Sequence, residues 1–205
     1  MSTSTFPLLG IARHRMGTDG EGVTTLAAGA GCPLRCAWCI NKKLLRGAPA
    51  EDVTPEELLD RVRADHLYFC ATGGGITFGG GEALLHADFI REFREICPPE
   101  WKITAETSLF VPRSYLAEAT DAVDLFVVDC KDMNGEIYRK YTGEDVSVME
   151  ENLHFLLERT GPERVIVRVP LIPGYNTEED QKKSADALRK MGVEKLDLFE
   201  YVIRE

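Results

Sequence analysis

The stretch Leu125-Phe126-Val127-Val128-Asp129-Cys130-Lys131 has the pattern of a strand with two unlike faces. Side chains two apart in a strand share a face. Leu125, Val127, Asp129 and Lys131 therefore lie on one side, and Phe126, Val128 and Cys130 on the other. One face is apolar and suits a cover of helices. The other turns charged toward its C-terminal end. Two more runs repeat the arrangement: Thr104, Glu106 and Ser108 share a face in 102–108, and Arg164, Ile166 and Arg168 oppose Val165, Val167 and Val169 in 164–170.

Working outward, six β-rich runs (23–31, 75–80, 102–108, 125–131, 164–170 and 195–201) alternate with helical patterns at 55–68, 87–96, 113–119, 147–159 and 177–191. Pro55 follows Thr54 and precedes two acids, which marks a helix start. Gly161-Pro162 and Gly192 mark helix ends. Such alternation predicts an α/β fold with a parallel sheet. Six units are too few to close an eight-unit barrel. An open doubly wound sheet and a partial barrel remain, and charge gathered at the C-terminal ends of strands favours the barrel. The expected fold is a partial (β/α)6 TIM-like barrel.

With 205 residues, the chain is expected to form a single domain spanning 1–205 and to bury about 70% of its unfolded surface. Hydrophobic residues make up 44% and charged residues 28%, ordinary for a globular protein. A net charge of −10 argues against nucleic acid as partner. No apolar run has membrane-spanning length. The start, MSTSTFPLLGIARHR, lacks a signal-peptide pattern, so the chain is expected in the cytoplasm, where thiols stay reduced. Six cysteines then need another use.

Three of them form Cys32-x3-Cys36-x2-Cys39. Thiolates this closely spaced wrap one metal centre. Four ligands close a structural zinc or a conventional iron–sulfur site; three leave a position open. The alternative is a zinc site completed by His66, Cys70 or Cys97. Cys70, Cys97 and Cys130 otherwise read as packing residues, and His154 as a core or boundary residue. Between Gly73 and Gly81, six of nine residues are glycine, and Glu82 follows. Neither the P-loop nor the dinucleotide pattern fits. Glycine carbonyls with an acid suit a ligand offering an ammonium group; a tight turn is the plain alternative.

Together, C-x3-C-x2-C and Gly80-Gly81-Glu82 resemble the radical S-adenosylmethionine (SAM) enzymes. DGEGVTTLAAGAGCPLRCAWC (19–39), TGGGITFGGGEALL (72–85), VDCKDMNGEIYRKYTG (128–143) and RVPLIPGYN (168–176) are similar to blocks of the glycyl-radical-enzyme activases, the pyruvate formate-lyase activase type. The resemblance implies that Cys32, Cys36 and Cys39 ligate a 4Fe–4S cluster, with SAM chelating the open iron. Reductive cleavage of SAM then gives a 5′-deoxyadenosyl radical, which takes an α-hydrogen from a glycine of a partner protein, a glycyl radical enzyme. It also implies SAM contacts by Trp38, Gly80, Gly81, Glu82, Glu106, Asp129, Lys131 and Arg168, the last two as catalytic candidates, and a monovalent cation held near Glu106 and Asp129. Arg168 has an internal alternative in Glu106. The implied electron donor is of flavodoxin or ferredoxin type, and the implied state is a monomer.

Three departures stand out. Only sixteen residues separate Cys39 from Glu56, which makes this the short form without a ferredoxin-like insert. Glu106 stands where the family usually has Asp. Val202 stands where the family has a histidine after Pro-Tyr. Two other functions compete: a small radical SAM enzyme acting on a small molecule or ribosomal peptide, and a non-enzymatic zinc or iron–sulfur module.

Overall fold

The computed structural model describes residues 4–202. All six expected strands form and lie side by side: β2 (Val23–Gly29), β4 (Gly75–Gly80), β5 (Lys102–Thr107), β6 (Leu125–Asp129), β7 (Val165–Leu171) and β8 (Lys195–Glu200). Each neighbouring pair among them is parallel. Their spatial order equals their chain order. A doubly wound sheet would reverse direction at a switch point; this one never does, so the partial barrel is the architecture.

Two strands lie outside the expected set. β1 (Phe6–Met16) and β3 (Glu51–Val53) extend the sheet at the β2 edge, both antiparallel to their neighbours. β1 buries Phe6 and Leu8 and then runs into solvent, so its alternation fades after three residues. β3 has three residues, too few for a period.

The outer layer comprises α1 (Lys42–Gly47), α2 (Pro55–Val62), α3 (His66–Thr72), α4 (Ala87–Ile96), α5 (Arg113–Ala119), α6 (Gly135–Thr142), α7 (Ser147–Thr160) and α8 (Glu178–Lys190). The single helix expected over 55–68 is two, because a 3-10 turn at Arg63–Asp65 interrupts it. That turn buries Asp65, which accepts from the Arg13 guanidinium and from Thr25 Oγ1 (2.8 Å). α6 was not expected, yet its caps are conventional. The Asn134 side chain accepts from Glu136 N (2.9 Å), and Gly143 ends the helix at φ +88°. Gly135 at its first position weakens the helical signal. His154, expected in or near the core, is exposed on α7, whose buried side chains include Met149, Asn152, Leu153 and Leu156. Among the described residues, no helix is long and apolar enough to cross a membrane.

The core lies between the sheet and these helices. Phe126, Val128 and Cys130 are fully buried there, as are Val165, Val167 and Val169. Phe78 packs edge-on against Phe6 and Phe93, with ring centroids 5.6 Å apart in both pairs. The opposite face of the sheet is the barrel interior, and the turn between β1 and β2 closes its floor. Thr77 Oγ1 donates to the Asp19 carbonyl (2.6 Å), and Arg15 pairs with the buried Asp19 side chain.

The β5–α5 connection carries Leu109 in the left-handed region, φ +57°. Asn152 on α7 holds it: Nδ2 donates to the carbonyls of Leu109 (2.8 Å) and Val111 (2.9 Å). Asn152→Ala leaves two buried acceptors without a donor and is expected to cost about 2–4 kcal/mol, read as a lower urea midpoint. Asn152→Asp is expected to give no rescue, because a carboxylate cannot donate.

Candidate active site

A cavity of about 550 Å³ opens at the C-terminal ends of the parallel strands, the place where barrel folds put their chemistry. The cysteine loop that leaves β2 forms its rim. Arg35 N and Ala37 N of that loop donate to the Thr142 and Tyr141 carbonyls, both at 3.0 Å. These are last-turn carbonyls of α6, which a helix leaves without internal partners. The helix end thus fixes the loop by main-chain bonds.

Two glycines explain the glycine-rich run. Gly81 N and Glu82 N donate to the carbonyls of Gly29 (3.0 Å) and Gly31 (2.8 Å), so the end of β4 lies flush against the loop. A Cβ on Gly81 would sit 2.0 Å from the Gly31 oxygen, and one on Gly79 would sit 2.6 Å from Glu106 Oε2. Close approach is their purpose. The Gly80 carbonyl takes a 2.7 Å bond from Asn41 Nδ2.

Glu82 is buried, and its carboxylate accepts from four donors. These are Leu84 N (3.2 Å), Thr107 Oγ1 (2.6 Å), Ser108 N (2.8 Å) and Ser108 Oγ (2.6 Å). Four bonds fill the acceptor positions of a carboxylate. Burial pushes this carboxyl above the usual range, against the pull of those donors. Glu82 is therefore a buckle between the ends of β4 and β5.

The charged face of the barrel carries two internal ion pairs. Arg168 Nη1 meets Glu106 Oε1 at 2.8 Å, with Asp197 3.7 Å from Nε. The internal alternative for Arg168 is thus the arrangement seen. Burial raises the Glu106 carboxyl; Arg168 opposes the rise and Asp129 adds to it. Lys131 Nζ donates to Asp129 Oδ2 (2.9 Å) and to Tyr201 Oη (3.0 Å). Burial alone would depress the Lys131 ammonium, yet Asp129 and Tyr201 hold it well above its ordinary value, so it stays a cation. Trp38 stands at the mouth, 43% exposed.

Cys32, Cys36, Cys39, Trp38, Gly80, Gly81, Glu82, Glu106, Asp129, Lys131 and Arg168 all line this one cavity. Sequence reading missed Asn41, Arg15, Asp19, Asp197 and Tyr201, which line it too. The parity of Asp197, Phe199 and Tyr201 on the last strand was the available signal for two of them. His66, Cys70 and Cys97 do not complete a site with the three thiols. They lie where α3 and α4 lead toward the N-terminal ends of β4 and β5, across the sheet from the loop that leaves the C-terminal end of β2. Cys97 and Cys130 are buried, but Cys70 is exposed beside the His66 ring (3.6 Å), so packing does not describe it.

Among the described residues, no three Cys, His, Asp or Glu side chains converge on one ion. Cys32, Cys36 and Cys39 line one cavity, and three thiolates suit a cluster that keeps one iron open. Burial first, with Glu82, Cys36 and Cys39 adding to it, pushes the Cys32 thiol up to about 11, and burial raises Cys36 also. Both must release protons to ligate.

The sequence profile of the Radical SAM superfamily matches residues 27–194. The chain belongs to that superfamily. Radical SAM proteins bind a 4Fe–4S cluster and SAM, and the donor set above suits both. The chain is 31% identical over 188 residues to the pyruvate formate-lyase 1-activating enzyme of Escherichia coli K12, covering 89% of this chain and 76% of that protein. It is 30% identical to the pyruvate formate-lyase-activating enzyme of Clostridium pasteurianum over 89% of this chain and 77% of that one. Streptococcus suis SuiB bound to S-adenosylmethionine shares the fold, with a TM-score of 0.66 at 12% identity over 84% of this chain, which spans 39% of SuiB.

The close approach at Gly81 makes a test. Gly81→Ala is expected to push the cysteine loop off β4, at a cost of about 1–3 kcal/mol in thermal unfolding and with reduced iron uptake on anaerobic reconstitution. Gly47→Ala, where an added Cβ meets nothing within 4 Å, is expected to change neither reading.

Proposed function

We propose that this protein is a glycyl-radical-enzyme activase. The observation that carries the reading is one cavity joining three thiols to two partly buried cation–carboxylate pairs, in a chain similar over most of its length to activating enzymes. Cys32, Cys36 and Cys39 hold the cluster. When bound, cluster and SAM together supply a 5′-deoxyadenosyl radical that takes the α-hydrogen of a glycine in a partner enzyme. Lys131 receives the SAM carboxylate, for which a buried ammonium held in its charged form is suited. With Lys131 on that carboxylate, a monovalent cation held by Asp129 and Glu106 would balance two carboxylates that cannot both stay ionised unaided. Arg168, 2.8 Å from Glu106, opposes the rise that burial imposes on that carboxyl.

The remaining groups position the reactants. Gly80 and Gly81 bring main chain to the methionyl end of SAM, and Glu82 fixes their path. The Glu82 carboxylate would accept from the methionyl ammonium in place of the Thr107 or Ser108 hydroxyl. Trp38, at the mouth, would stack on the adenine and exclude water. A flavodoxin- or ferredoxin-type protein in the cytoplasm supplies the electron, and the chain works as a monomer of one domain.

The deciding measurement is anaerobic. Reconstituted protein, SAM, dithionite and a candidate glycyl radical enzyme are expected to give a glycyl doublet in electron paramagnetic resonance. Deoxyadenosine without any partner radical would transfer the reading to a small-molecule or peptide substrate. Lys131→Met is expected to weaken SAM binding about 10- to 100-fold, the loss of one buried charge-assisted contact of roughly 1.5–3 kcal/mol. Unchanged SAM affinity in that variant would remove Lys131 from the site.

A further inference from the structure

The three cysteines line a second cavity, of about 420 Å³, between their loop and α1, together with Arg35, Lys42 and Arg46. Its surroundings are unlike the rest of the protein. From residue 22 to residue 50 there is no carboxylate, while Arg35, Lys42, Lys43 and Arg46 all fall there, in a chain of net charge −10. All four cations are exposed. Among the described residues none of them forms an ion pair, whereas Arg61, Arg91, Arg94 and Arg139 each pair with a carboxylate. Apolar side chains stand among them: Ile40 is 90% exposed, Leu44 44% and Trp38 43%. α1 buries none of its residues. An apolar centre within a charged rim is the make-up of a protein interface.

We propose that this face, the cysteine loop with α1, is the docking site for an acidic one-electron carrier protein. The inference rests on reading the three cysteines as cluster ligands. One electron leaves the reduced carrier and enters the cluster, and no bond between the proteins forms or breaks. Electron transfer weakens steeply with distance, so the carrier must approach where the ligands reach the surface. The inner cavity is taken by SAM and by the hydrogen donor, which leaves the α1 side. An acidic carrier is attracted to this one basic face and repelled by the rest of an acidic protein, which orients the encounter.

Lys42→Glu/Lys43→Glu/Arg46→Glu reverses three charges on a helix that buries nothing. The probe is a purified acidic flavodoxin, with basic cytochrome c as counter-probe. By surface plasmon resonance at low ionic strength, the unsubstituted protein is expected to bind flavodoxin with an affinity that falls as salt rises. The triple variant is expected to bind it at least about 10-fold more weakly and to gain affinity for cytochrome c. Bleaching of the cluster absorbance by reduced flavodoxin is expected to slow in parallel. Dithionite, which needs no docking surface, is expected to reduce both proteins and to support equal SAM cleavage. The glutamine triple variant, expected to lie between the two, covers a failure of the glutamate variant to fold. Equal binding and reduction of all variants by flavodoxin, with dithionite-driven cleavage intact, overturns the docking proposal alone. So does weakened binding of the glycyl-radical partner with flavodoxin binding unchanged. Failure of dithionite to drive SAM cleavage in the unsubstituted protein overturns the reading of the site beneath it.

Discussion

The contact on which the site depends is the main-chain seam between the end of β4 and the cysteine loop. Gly81 and Glu82 donate to Gly29 and Gly31, and no side chain fits between them. A backbone seam this close leaves little freedom, since its donors and acceptors are already paired with one another. Glu82 extends the restraint to the next strand through Thr107 and Ser108. On the loop's other side, the α6 carbonyls of Tyr141 and Thr142 hold Arg35 and Ala37. Three thiols therefore sit on a loop fixed from both sides, although the loop has no regular structure of its own.

Burying charge on the facing strands works only because it is matched. Glu106 with Arg168 and Asp129 with Lys131 are each close pairs. An ion pair out of water is costly unless its remaining hydrogen-bonding groups are also satisfied, and Tyr201 and Asp197 help to satisfy them. The pairs also store selectivity. A ligand carrying both an ammonium and a carboxylate can exchange partners with them, whereas an apolar or singly charged ligand would leave one charge alone.

The parts of the molecule most legible in its sequence are those with a strict local rule. Period-two faces mark a strand where one side is buried under helices, as Val165, Val167 and Val169 are. Cysteine spacing marks the loop because it puts three thiols on one short segment. Glycines mark close approach. What stays hidden depends on partners distant in the chain. β1 exists through pairing with β2 and β3, and its own exposure pattern blurs halfway. Asp65 looks like an ordinary helical acid until Arg13 and Thr25 are seen to converge on it. Cys70 has an apolar local context but lies on the solvent side of α3, which only the packing of Phe69 into the core decides.

The last strand shows how a departure from a family pattern can be absorbed. Val202 is exposed, so the position read as a missing histidine contact does not face the cavity. Tyr201, one residue earlier, does line it. Asp197, Phe199 and Tyr201 alternate inward along this edge, and the Tyr201 hydroxyl meets Lys131 at 3.0 Å while its ring lies 5.7 Å from the same ammonium. A phenol accepts a hydrogen bond and offers a π-face to a cation, so it supports the charged lysine without adding charge of its own. The inward group at this edge is thus a tyrosine fixed by strand parity and by Lys131. Beside the exposed Val202, Tyr201 puts a polar group against the Lys131 ammonium.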